Sequence, residues 1–148
     1  MTKLHHAGIC VRDMAVSLRF YCDGIGLAVL ADKVLPVDLA PLLGVPTRAV
    51  RTVFLGEPGQ TDSGIVELLD LGEPESVAGA AQAGLPARGV FLLSVQVDVD
   101  AVLSRLNDLG LGGQPRTMPT PGGYAATVVD PDGVMVELLP HGELAVMK

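Results

Sequence analysis

Over the first dozen residues the apolar side chains recur at every second position. Ala7, Ile9 and Val11 alternate with His6, Gly8 and Cys10, the period of a strand with one apolar and one mixed face. Asp13 then stands where a helix N-cap would. Met14, Leu18 and Tyr21 fall on one side of the helix predicted to run through Tyr21, and the Gly-Ile-Gly run at 24–26 should stop it. Short strands follow at about 27–30, 50–55 and 64–70. The second half reads in the same way: a strand over 90–97, a helix over 99–109 with Asp98 and Asp100 as cap residues, and strands near 114–118, 124–129 and 134–139. Asp130-Pro131-Asp132-Gly133 is turn chemistry joining the last two strands as a hairpin. Gly122-Gly123 is a loop between strands rather than a phosphate cradle, because no helix begins after it.

The two halves are related. Val66-Glu67-Leu68-Leu69 recurs letter for letter as Val136-Glu137-Leu138-Leu139, and each copy follows a strand, an acidic residue, an amphipathic stretch and a Gly-Leu exit. The chain reads as one domain over residues 1–148, built from module one (1–71), a Gly/Ala/Pro/Glu-rich linker (72–88) and module two (89–148). An insertion around 32–48, with a helical turn near 39–43, has no counterpart in module two and is placed to act as a lid.

Composition narrows the partners. The 148 residues carry 17 acidic against 10 basic side chains, a net charge of -7, and only five aromatic residues. A polyanion needs a basic track and stacking rings, so nucleic acid and anionic membranes are excluded as expected partners. Mean hydropathy is high at +0.44, yet no apolar run approaches the roughly 18 residues of a spanning helix and the N-terminus has no apolar signal core, which predicts a cytoplasmic protein. Cys10 and Cys22 form no disulfide framework or zinc spacing, and Cys10, inside an apolar run, reads as a buried thiol.

Glu67 and Glu137 carry the strongest chemical signal, since a carboxylate flanked on both sides by Ile, Val, Leu or Met is expensive to bury without a partner. His5, on the opposite face from His6, reads as peripheral, and His141 as a tail residue. Arg48, Arg51 and Arg116 could anchor a substrate carboxylate, although strand parity does not settle their direction.

The segments LHHAGICVRDMAVSLRFYCDGIGL, GIVELLDL and YAATVVDPDGVMVELLP, in that order, resemble the vicinal oxygen chelate superfamily, which includes glyoxalase I, bleomycin-resistance proteins and extradiol dioxygenases. The resemblance covers about residues 4–140. It implies an α+β fold of two βαβββ modules whose mixed sheets curl into a cup, with a divalent ion held by the first and last strand of each module. The implied ligands are His6, Glu67, the module-two partner of His6, and Glu137. Counting from Val97 as His6 counts from Val11, that partner is Leu92, which cannot ligate. Leu92, Ser94 and Gln96 share one face and are expected to line the substrate pocket.

One histidine with two carboxylates does not match the two-histidine set of iron-dependent dioxygen chemistry, which disfavours ring cleavage. It suits Zn²⁺, Ni²⁺, Mn²⁺ or Mg²⁺ with open positions for substrate. Without an ion, two carboxylates ~6 Å apart would repel by about 3 kcal/mol at an effective dielectric of ~20, and one could serve as a metal-free base. The expectation is therefore an isomerase or lyase transferring a proton on a small oxygenated molecule, with Glu137 and Glu67 as catalytic groups. The alternative is a metal-free small-molecule binding or resistance protein. Edge strands and the resemblance together predict a homodimer.

Overall fold

The structure, a computed structural model, describes residues 1–72, 77, 85 and 88–148; most of the expected linker lies outside them. It divides into two compact units, residues 1–22 with 27–77, and residues 23–26 with 78–148. Each contains a four-stranded mixed sheet with its first strand paired in parallel to its last.

In unit 1 the elements are β1 (His6–Cys10), α1 (Met14–Leu18), β2 (Ala28–Leu35), α2 (Ala40–Leu43), β3 (Val50–Gly56) and β4 (Ile65–Asp70), with sheet order β1-β4-β3-β2. Alternation sorts the faces. Ile9, Leu68 and Val53 form one register row and are buried, as are Met14, Phe20 and Tyr21. The opposite face carries the row Gly8, Glu67 and Phe54. Asp13 caps α1 as expected, its carboxylate accepting the N–H groups of Ala15 and Val16.

Three expectations need correction here. The helix does not end at Tyr21 but continues as a π-helical turn over Arg19–Ile25; the Gly-Ile-Gly run does stop it, at Gly26 with φ 102°. The donor that makes this possible is distant in sequence: Arg105 donates to the Gly24 carbonyl at 2.9 Å. Cys10 is exposed rather than buried, because β1 alternation puts it on the His6 face and not on the Ile9 face; neither cysteine is in a disulfide. β2 runs on to Leu35, into the expected insertion, because its register with β3 continues to Leu35 opposite Val50. The predicted helical turn is present as α2, and the loop around it is tied by Thr47, whose hydroxyl donates to the Val37 carbonyl at 2.7 Å and accepts the Leu39 N–H at 3.0 Å.

Unit 2 contains β5 (Leu92–Gln96), α3 (Val99–Leu109), β6 (Gly112–Thr120), β7 (Gly123–Val129) and β8 (Met135–Leu139), in sheet order β5-β8-β7-β6. α3 has the predicted bounds and buries Val99, Val102 and Leu106; Val128, Val136 and Leu138 complete the core of the unit. Asp98 caps it, accepting the Ala101 N–H at 3.1 Å. Asp100 is not a cap: it lies inside the first turn, and its carboxylate accepts the Tyr124 hydroxyl. β6 begins two residues earlier than predicted, at Gly112, where φ is 92° and a β-carbon would come within 3.3 Å of Leu106, so glycine lets the strand leave close under the helix. No helix among the described residues is long and apolar enough to cross a membrane.

The β7–β8 turn is held by Asp130, only 4% exposed, whose carboxylate accepts the N–H groups of Asp132 at 2.8 Å and Val134 at 2.7 Å. Asp130→Ala orphans both donors and should cost about 1–3 kcal/mol, read as a lowered urea midpoint.

Candidate active site

Parallel pairing of β1 with β4 places Gly8 opposite Glu67, and His6 two residues earlier on the same face. His6 Nε2 lies 3.5 Å from Glu67 Oε1, with the His6 side chain 39% exposed and Glu67 18% exposed. The other carboxylate oxygen, Oε2, accepts a hydrogen bond from Thr52 Oγ1 at 2.7 Å. Thr52 thus orients the carboxylate while leaving Oε1 toward the imidazole. A β-carbon on Gly8 would lie 3.6 Å from Oε1, so a longer side chain there would cover the carboxylate. The His6 ring rests edge-on against Phe54, with centroids 5.7 Å apart.

His5 is not peripheral. It precedes β1, outside the strict alternation, and its Nδ1 lies 2.9 Å from Nδ1 of His6. Neither Thr52 nor Phe54 stood out in the sequence. The one available signal was a threonine next to the apolar run 53–55 of β3, and its partner becomes visible only through the β3–β4 register.

Unit 2 repeats the arrangement with different side chains. Leu92 pairs with Met135 as His6 pairs with Ile65, and Ser94 with Glu137 as Gly8 with Glu67. The structural register therefore makes Leu92 the positional counterpart of His6. Ser94 Oγ donates to Glu137 Oε1 at 2.9 Å, so the donor to this glutamate comes from β5, whereas Glu67 takes its donor from β3. Gln96 is on the same face, but its amide is engaged by the carbonyls of Pro140 and Gly142. Leu92 is half-buried and Ser94 exposed; His141 is exposed beyond β8.

The His6–Glu67 pair offers two of the donors that a divalent ion would need. An imidazole nitrogen and a carboxylate oxygen 3.5 Å apart are spaced like neighbouring ligands of a tetrahedral ion with bonds of about 2.1 Å, which stand about 3.4 Å apart. Among the described residues, no group of three or more His, Cys, Asp and Glu side chains lies together so as to hold a metal. The donors thus stand as one pair in unit 1 and one carboxylate in unit 2.

Of the three arginines, Arg51 is committed to structure: its Nε and Nη2 donate to Asp32 Oδ1 at 3.0 Å and Oδ2 at 2.8 Å, clamping β3 to β2. Arg116 faces Thr127 across the β6–β7 pairing, in the row that contains Glu137, and is exposed. Arg48 is exposed in the loop before β3.

Residues 3–138 match the Glyoxalase/Bleomycin resistance protein/Dioxygenase superfamily. A lactoylglutathione lyase-like protein of Aspergillus terreus, terB, is 30% identical over 146 residues, spanning 92% of this chain and 74% of that protein. Among solved structures, the trypanothione-dependent glyoxalase I of Leishmania major is 25% identical, with TM-score 0.67, covering 95% of this chain and 87% of that one. A glyoxalase family protein of Bacillus cereus is 18% identical with TM-score 0.74, covering 93% of each chain, a likeness of fold.

The Asp32–Arg51 fork carries a prediction about pH. Hydrogen bonds from Arg51 hold the Asp32 carboxyl below its ordinary value of 3.8, against a smaller opposing effect of desolvation. A depressed folded-state pKa contributes stability above the unfolded value, and that contribution disappears as pH falls through the folded one. Asp32→Asn should therefore destabilise at neutral pH. The difference from wild type should vanish on acidification below 3.8 and shrink in high salt, because the pair is over one-third exposed. Urea unfolding at several pH values measures it.

Proposed function

Because this chain belongs to the Glyoxalase/Bleomycin resistance protein/Dioxygenase superfamily, we propose that it is a metal-assisted lyase or isomerase acting on a small oxygenated organic substrate. The observation that carries this reading is the His6–Glu67 pair, an imidazole and an oriented carboxylate at ligand spacing on one sheet face. His6 and Glu67 of unit 1 are the donors that would hold Zn²⁺, Ni²⁺, Mn²⁺ or Mg²⁺. Such an ion, when bound, supplies Lewis-acid polarisation of a substrate carbonyl.

The chain's own residues divide the remaining work. Thr52 keeps Glu67 turned toward His6. Ser94 orients Glu137 through its Oε1, leaving Oε2 to accept a proton from the carbon beside the carbonyl and return it to the neighbouring carbon. Glu67 is the second carboxylate available for that transfer. Leu92, in the place a fourth ligand would take, presents an apolar surface beside Ser94 and Gln96 and favours a substrate with a hydrophobic portion. The two modules act as one domain over residues 1–148 in this reading.

The Leu92 position also favours a second reading, a metal-free binding protein that sequesters an unaltered small molecule. Metal content separates the two. Purified untagged protein should carry, or take up on titration, one equivalent of a divalent ion, and His6→Ala and Glu67→Ala should lose it. Formation of lactoylglutathione from methylglyoxal and glutathione is the first activity to assay, given the fungal relative's name. Glu137→Ala should lower kcat by about 10²-fold or more. A wild-type protein that takes up no ion, yet binds an apolar metabolite without turnover, replaces the enzyme with the binder.

The sheets end in β1 and β2 in unit 1, and in β5 and β6 in unit 2. Such edges support assembly as a homodimer. Gel filtration with light scattering should give twice the 15.3 kDa chain mass; a monomer at high concentration removes the dimer.

A further inference from the structure

We propose that the sheet face of unit 2 is a recognition row for an organic carboxylate that bears an oxygen on the carbon next to its carboxyl group, with Arg116 anchoring the carboxylate and Thr127 donating to the neighbouring oxygen. This rests on the reading of Glu137 above only for what happens at the ligand's next carbon; the anchor does not depend on it. The juxtaposition that carries it is one register row across four strands, with Ser94 opposite Glu137, Glu137 opposite Thr127 and Thr127 opposite Arg116.

Side chains directly opposite one another in a sheet project from the same face. The row therefore presents a hydroxyl, a carboxylate, a hydroxyl and a guanidinium in that order. Neighbouring strands stand about 4.8 Å apart, which separates Arg116 from Glu137 by about 9.6 Å at the backbone. Thr127 lies between them, and among the described residues no ion pair joins them. Ser94 is already engaged with Glu137. Arg51 and Arg105 are committed to Asp32 and to the Gly24 carbonyl. Among the described residues, neither the Arg116 guanidinium nor the Thr127 hydroxyl has a hydrogen-bond partner, so both are available to a ligand.

The flanking rows are apolar. Two positions along the strands in one direction stand Met135 and Val129, opposite each other; in the other direction stand Leu139 and the opposed pair Ala125 and Met118. Met118 and Val129 are exposed. A polar stripe one row wide between apolar rows suits a ligand with an ionised head and a hydrophobic body. Charge decides the sign of the head. The chain carries a net charge of -7, so an anion is not drawn in by the overall field and needs a local cation. A guanidinium is a planar fork that matches a carboxylate bidentately. The arginine and glutamate side chains are longer than threonine's, so a bound molecule meets long side chains at its ends and a short one at its middle. A carboxylate at Arg116, an oxygen at Thr127 and a C–H at Glu137 is the order of groups in a 2-oxo acid read from its first carbon to its third.

The test is calorimetric titration with 2-oxo-4-phenylbutanoate, with its methyl ester, and with 4-phenylbutanoate, which lacks the second-carbon oxygen, together with NMR of the oxo acid's third-carbon hydrogens in D₂O. Wild type should bind the oxo acid at least about 10-fold more tightly than the neutral ester. Arg116→Ala should weaken the oxo acid about 10–100-fold and leave the ester unchanged. Arg116→Lys, which keeps the charge but not the fork, should recover part of the loss. Thr127→Val should weaken the oxo acid and leave 4-phenylbutanoate unchanged. Arg116 is exposed on an edge strand, so these variants should fold, with unchanged circular dichroism as the check. No binding of the oxo acid by wild type at millimolar concentration, an ester bound as tightly as the acid, or Arg116→Ala binding as tightly as wild type overturns the anchor. Equal weakening of both acids by Thr127→Val overturns the role of Thr127. The role of Glu137 is read separately. Deuterium entering the third carbon with wild type and not with Glu137→Gln supports the whole row, whereas binding through Arg116 without any such exchange removes the proton-transfer reading and leaves the anchor standing.

Discussion

The parallel pairing of the first strand of each unit with its last is the constraint on which the rest depends. Parallel strands cannot be joined by a short turn, so each unit must route its chain through a helix and two further strands before closing the sheet. The closing strand then enters at a fixed register, with Glu67 opposite Gly8 and Glu137 opposite Ser94. A slip of one residue would send both glutamates into the apolar layer with Leu68 and Leu138, which are fully buried. Hydrophobic burial on one face thus sets the position of the chemistry on the other.

Duplication has kept this frame while changing its fittings. Each unit holds a glutamate on its last strand and gives it a hydroxyl donor, yet the donors are Thr52 on β3 and Ser94 on β5. Where unit 1 has an imidazole, unit 2 has Leu92. A carboxylate in an apolar strand is tolerable only with a polar partner, and the need has been met from two directions. That divergence leaves the sheet face of unit 1 with an imidazole beside its carboxylate and that of unit 2 with an apolar side chain in the imidazole's place.

At the His6–Glu67 pair, geometry and charge act together. Thr52 occupies one carboxylate oxygen, Gly8 leaves the other uncovered, and Phe54 limits the motion of the imidazole. None of these contacts is chemically reactive. Their effect is preorganisation: the imidazole and the carboxylate are already held 3.5 Å apart and need little further ordering.

Much of this was legible along the chain. Alternation located β1, β3, β4 and β8, the repeated Val-Glu-Leu-Leu revealed the duplication, and counting along two equivalent strands identified Leu92 as the partner of His6. Local turn and cap chemistry placed Asp13, Asp98 and Asp130. Distant partners account for most of what was not legible: the π-helical turn sustained by Arg105, the pairing of Asp100 with Tyr124, and the commitment of Arg51 to Asp32, which the sequence left open; the exposure of Cys10 follows from strand alternation, which the apolar run around it masked. The sequence by itself determined the two-module architecture and the residue types available for chemistry, because periodicity and turn propensity are local properties. Only the tertiary structure decided which side chain orients which. Thr52 with Glu67, Ser94 with Glu137 and His5 with His6 are fixed by strand register and ring direction, and those arise when separate segments pack.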